Sequence, residues 1–154
     1  MDREDRSVER SELGIGADLK KRVVARIIDS FLIGMVIIYA IPLAGFTDEF
    51  TMTVLSVATV MAYFTLMESF NGRTLGKMVL GLRTVGPSGG NPSLEMAFRR
   101  NVWYLLGILP YVGSLAEIAA VIYIAVTIGR SPTNTGWHDN FAPGTRVVPV
   151  GARR

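Results

Sequence analysis

The chain contains no cysteine and one histidine, His138. The first absence excludes disulfides, thiolate catalysis and Cys-based metal sites, and leaves the compartment open. The second excludes a His-rich metal site within one chain. Charge is also scarce over three long stretches. Residues 27–46 carry only Asp29, residues 50–70 only Glu68, and residues 102–128 only Glu117. A cleavable signal peptide is not expected either. The start is long, polar and charged, and no small-residue cleavage site follows the first apolar run.

What is present is a chain of 154 residues, 49% hydrophobic, with net charge +3. That length suits one domain. A soluble domain reaches such a composition too, so the arrangement of apolar residues decides the class. At ~1.5 Å per residue, residues 27–46 match a hydrocarbon core of ~30 Å, and Pro42 falls near the far end. Residues 50–70 form a second such run. Only Thr47, Asp48 and Glu49 separate the two, which predicts an antiparallel helical hairpin. Residues 102–128 are too many for one straight crossing, and Gly107, Pro110 and Gly113 interrupt them. Either one long kinked span or a pair of helices, about 93–109 and 114–128, fits.

Charge placement arbitrates. Lys20, Lys21, Arg22 and Arg26 precede the first run, and Arg73, Lys77, Arg83, Arg99 and Arg100 follow the second. Arg130, Arg146, Arg153 and Arg154 follow the third. The charges at the first hairpin tip are acidic. The excess of Lys and Arg places both termini and the middle segment in the cytoplasm, which requires an even number of crossings. The expectation is an all-α membrane protein, a four-helix transmembrane bundle in the cell membrane, with three spans as the alternative. A basic balance can also mean nucleic acid, but Lys and Arg here flank apolar runs, so the bilayer is the expected partner and nucleic acid is not.

The middle segment, residues 71–92, is too polar to span. Residues 74–80 suit a short interfacial helix, with Leu75, Met78 and Val79 towards lipid and Arg73 and Lys77 snorkelling to water. Residues 81–85 and 145–150 are strand-like and are expected to pair on the cytoplasmic side, with a turn at 86–90. Ser93 is a predicted N-cap. Residues 1–18 read as a polar flexible tail, or as a short amphipathic surface helix on Leu13 and Ile15. Residues 149–154 read as a basic tail, leaving 19–148 as the membrane domain.

Several residues stand out as candidates. Arg22, Ala25 and Asp29 share a helix face. A lone carboxylate just inside a bilayer costs about 2.5–3.5 kcal/mol unless paired or hydrated. Asp29 is therefore expected to form an ion pair, with Arg26 or an arginine on another helix; an ion or proton site is the alternative. Glu68 lies close enough to the cytoplasmic end to reach water or Arg73. Glu117 is expected near the outer turn. Residues 72–77 do not make a phosphate loop, because Asn71 and Met78 stand where Gly and Ser or Thr are required. The His138-Asp139 pair reads as an anchor for the C-terminal segment rather than half of a metal or acid–base site. Asp139 is expected to pair with Arg22 or Arg100, and Arg26 and Glu68 complete the secondary candidates.

Three stretches resemble the RDD family of small prokaryotic membrane proteins. KRVVARIID at 21–29 is similar to the family's opening, NGRTLGKMVLGLRTV at 71–85 to its central glycine-rich segment, and NTGWHDNFAPGTRVV at 134–148 to its C-terminal element. The run FRRN at 98–101 also resembles the start of the family's next helix. Pro143 departs from the glycine expected near the final Gly-Thr. The resemblance covers roughly 19–148 and implies a functional charge cluster of Arg22, Asp29 and Asp139. It also implies a suggested transport role, including cation/proton exchange, in which Asp29 would titrate with a monovalent cation or proton and the small bundle would form a homo-oligomer. A non-transporting scaffold or assembly factor that binds a partner through its cytoplasmic face is the alternative. Without a nucleophile–base pair or a ligand set, no enzyme activity, metal or cofactor is expected.

Overall fold

A computed structural model describes residues 16–150. Helix α1, Leu19–Leu43, starts well before the first apolar run and carries Arg22 and Arg26 on its opening turns. Pro42 sits in its last turn, and the helix ends one residue later. Asp48 caps helix α2, Glu49–Asn71, by accepting the Thr51 N–H at 2.8 Å. Gly72 ends α2 in the left-handed region, at φ 65°, which a side chain would resist. The short helix α3, Leu75–Val79, is capped by Thr74. Strand β1, Leu82–Val85, follows. Ser93 accepts the Met96 N–H at 3.2 Å and opens helix α4, Leu94–Asn101, as the sequence predicts.

The next seven residues, Val102–Ile108, wind as a 3-10 helix. Val102, Trp103 and Tyr104 are β-branched or aromatic and favour the α-helix only weakly. A turn through Pro110 leads to helix α5, Gly113–Arg130, then to helix α6, Trp137–Phe141, and strand β2, Arg146–Pro149. The two strands pair antiparallel, with Leu82 opposite Pro149 and Val85 opposite Arg146. The expected pairing of these two distant strands is present, trimmed by a residue at most ends.

Among the described residues three helices, α1, α2 and α5, are long and apolar enough to cross a membrane. The expected fourth stretch does not meet that measure, because it divides into the eight-residue α4 and the 3-10 helix. Large apolar side chains point outwards along the long helices: Phe31 is 68% exposed and Leu115 69%. That pattern suits lipid rather than water.

The starts of α1 and α4, the ends of α2 and α5, and the sheet all meet at one end of the molecule, the sheet end. The two connections 44–48 and 109–112 lie at the opposite end, the loop end. A small apolar core of Ala17, Ala25, Leu82 and Val147 fastens the sheet to α1. Of the tail expected over 1–18, residues 1–15, with Leu13 and Ile15, lie outside the described residues. Gly16 and Ala17 are buried, their N–H groups donating to Thr133 O at 2.7 Å and Val147 O at 2.6 Å. Residues 151–154 likewise lie outside.

Candidate functional site

The sheet end is where the chain buries its charges. Asp139 is fully buried at the start of α6, where it accepts the Gly136 N–H at 2.8 Å. One carboxylate oxygen takes the Arg22 guanidinium at 2.7 Å and the other takes Arg100. The expected pairing of Asp139 with Arg22 or Arg100 is thus met by both. Burial alone would raise the Asp139 pKa, but Arg100 and Arg22 outweigh it and hold the carboxyl well below the usual carboxylate range. Arg22 also donates to Asn134 O at 2.7 Å and lies 3.2 Å from His138 Nε2. Burial pushes His138 down to about 3, so its ring is neutral at pH 7. His138 packs beside Arg22 and Asp139.

Glu68 is the second hub. The sequence places it near water or Arg73, but the structure buries it completely. It takes Lys77 on one oxygen and Arg100 Nε, at 3.0 Å, on the other. Lys77 does not snorkel outward. It is 7% exposed and donates to Thr84 Oγ1 at 2.8 Å as well as to Glu68. Burial lowers its pKa to about 8 against the pull of Glu68. The three apolar residues of α3 do face outward, so the short helix has its lipid face where expected and its lysine on the other side. Arg100 joins the two hubs and also donates to Thr145 Oγ1 at 3.0 Å.

Asp29 corrects the expectation of an ion pair. Its partners are neutral: Tyr63 O–H at 2.7 Å, Thr74 O–H at 2.6 Å and the Gly76 N–H at 2.7 Å. Three donors satisfy a buried carboxylate without a cation. The contact needs glycine at 76, because a Cβ there would collide with the Ala25 carbonyl. Ala25 and Asp29 therefore act as one docking edge for α3. Arg26 pairs with no carboxylate among the described residues. Its guanidinium lies 3.9 Å above the Phe64 ring and donates to Tyr104 O–H at 3.3 Å. Glu117 stands apart at the loop end, half-buried, beside Glu49 and Tyr104.

Five of the residues chosen from sequence, Arg22, Glu68, Arg100, His138 and Asp139, form one ionic cluster, and Asp29 adjoins it through Thr74 and α3. Lys77, Tyr63, Thr74, Thr84 and Thr145 are partners that sequence reasoning did not assign. Thr74 and Lys77 lie in the glycine-rich segment already singled out, which was the available signal. Tyr63 lies in an apolar run with nothing to mark it. Among the described residues no group of three or more His, Cys, Asp or Glu is placed to hold a metal ion.

The RDD family profile matches residues 17–143, a span that takes in the whole cluster. An uncharacterized membrane protein, YteJ, of Bacillus subtilis (strain 168) is 34% identical over 101 residues, 64% of this chain. The match spans about half of that relative's length, 56%. No solved structure matches the chain.

Proposed function

The chain belongs to the RDD family of membrane proteins, and on that premise we propose that it is a non-transporting membrane scaffold. In this reading its buried charges lock several crossings into one rigid end that presents a face to a partner. The observation that carries it is the saturation of the carboxylates: Asp139, Glu68 and Asp29 each hold at least two hydrogen-bond donors while nearly fully buried. A carboxylate that cycles protons gains from being destabilised in its charged form, whereas Arg100 and Arg22 hold Asp139 in that form.

Length supports four crossings. At ~1.5 Å per α residue and ~2.0 Å per 3-10 residue, α4 and the 3-10 helix together run about 26 Å, against about 27 Å for α5. The tighter 3-10 winding, with its larger rise per residue, brings the short segment close to the length of its neighbour. The basic residues Lys20, Lys21, Arg73, Arg83, Arg130 and Arg146 flank the sheet end, and Asp48 and Glu49 flank the loop end. That asymmetry supports a cytoplasmic sheet end with both chain ends on that side.

Cation/proton exchange is the second reading, and one observation favours it. Asp29, alone among the cluster's described carboxylates, is held by neutral donors only. Such a role would call for a homo-oligomer, since this bundle is too small to enclose a path. Purified protein in liposomes loaded with a pH-sensitive dye separates the two. The scaffold reading expects no pH change on adding a sodium or potassium gradient. A cation-driven change that disappears in Asp29→Asn would replace it with exchange.

A further inference from the structure

A cavity of about 100 Å³ opens between α1 and α5, far more than the ~10–15 Å³ that lodges one water. Arg22, Arg26 and Arg100 line one side, and Val23, Trp103 and Ile124 belong to its apolar wall. The surrounding charges do not balance. Four cations, Arg22, Arg26, Lys77 and Arg100, meet three carboxylates, Asp29, Glu68 and Asp139, while His138 is neutral. Arg26 is the cation left over. Two buried nitrogens on side chains that line the cavity, Trp103 Nε1 and His138 Nδ1, have no hydrogen-bond partner among the described residues. An uncompensated guanidinium at a cavity of this size favours a tenant that is anionic and accepts hydrogen bonds.

Depth defines the tenant. The 25 residues of α1 run about 37 Å, more than the ~30 Å hydrocarbon core, so its first turns reach the headgroup layer. Beside the cavity α1 and α5 meet sparsely, and Leu19, Val23, Ile124 and Ile128 form an apolar seam. We propose that the cavity seats the headgroup phosphate of an anionic membrane phospholipid, countering Arg26, with an acyl chain lying along the seam of α1 and α5. A phosphate offers several acceptor oxygens to guanidinium groups that line the cavity. The inference goes beyond the scaffold reading and does not depend on it, since lipid preference and proton flux are separate measurements.

Trp103 reports directly on this site. Trp137→Phe leaves it the sole tryptophan, because the chain has two. The full chain is reconstituted in phosphatidylcholine vesicles with a minor fraction of acyl-brominated phosphatidylglycerol or acyl-brominated phosphatidylcholine. Phosphatidylglycerol is expected to quench Trp103 with roughly tenfold preference, because the trimethylammonium group of phosphatidylcholine offsets the phosphate charge that would counter Arg26. Arg26→Gln is expected to bring the preference close to one, Arg26→Lys to keep most of it, and Arg130→Gln, an exposed cation at the same end, to leave it unchanged. Equal quenching by the two lipids in the unmutated site overturns the proposal whatever the variants do. Equal losses in Arg26→Gln and Arg130→Gln overturn it in favour of diffuse surface attraction. A change in Trp103 emission on adding inorganic phosphate to the protein in phosphatidylcholine alone, with no preference for phosphatidylglycerol, overturns the lipid as tenant and leaves a free-anion site.

Discussion

The two ends of this molecule are built on different principles. At the loop end the bonds are local: Thr51 to Asp48, Gly45 to Pro42, Gly113 to Leu109. At the sheet end they reach across the chain. Arg22 bonds Asp139, Arg100 bonds Glu68 and Thr145, and the Asn134 side chain donates to Gly16 O. In lipid the helices gain little from burying apolar surface against each other, so polar contacts and close packing must hold them. Here those contacts are gathered at one end. The difference suggests that the sheet end sets the fold's geometry, while the loop end only returns the chain.

Substitutions at the two ends should therefore differ sharply. The largest effect is expected from Asp139→Asn, which leaves Arg22 and Arg100 buried without their shared counter-charge. A loss of about 3–5 kcal/mol follows, seen as a large drop in the thermal unfolding midpoint in detergent. A drop no greater than for a loop-end variant would erase the distinction between the ends. Next comes Gly76→Ala, which pushes α3 off Ala25 and away from Asp29. About 1–3 kcal/mol should be lost, with faster amide hydrogen exchange at position 76; unchanged exchange there would show that the close approach is unimportant.

The pH dependence sharpens the same contrast. Unfolded, His138 takes a proton near its ordinary 6.5; folded, burial holds it off until about 3. The unfolded chain binds more protons between those values, so this contribution is fully present above pH 6.5 and is lost as pH falls from there. Between pH 6 and 5 the loss is about 1 kcal/mol. Unfolding midpoints measured across that interval should fall for the natural chain and flatten in His138→Asn. Parallel slopes for the two would remove His138 as their source. The smallest effect belongs to the loop end: Glu117→Gln should change stability by no more than about 0.5 kcal/mol, and a larger shift in the same melting assay would show that this end too holds the fold.

Much of this was legible locally. Apolar runs exposed α1, α2 and α5, because each must supply its own length of hydrophobic surface. The strands showed themselves by alternation and β-branching, and the Ser93 cap by its position before a helical run. Asp139 was readable as needing a basic partner, since a buried carboxylate demands one or its equivalent. The 3-10 winding of Val102–Ile108 was not readable, because the same residues also suit a helix of either pitch.

By itself, then, the sequence determined the three long apolar helices, which two segments pair as strands, and that Arg22, Asp29 and Asp139 could not remain unsatisfied. Only the tertiary structure decided their partners. Asp29 turned to Tyr63, Thr74 and the Gly76 N–H rather than to an arginine, Lys77 turned inward to Glu68, and Arg100 came to join both carboxylate hubs. Hydrophobic length and periodicity are written in neighbouring residues. A charge accepts any donor brought within reach, and which donor arrives depends on how helices far apart in the chain dock.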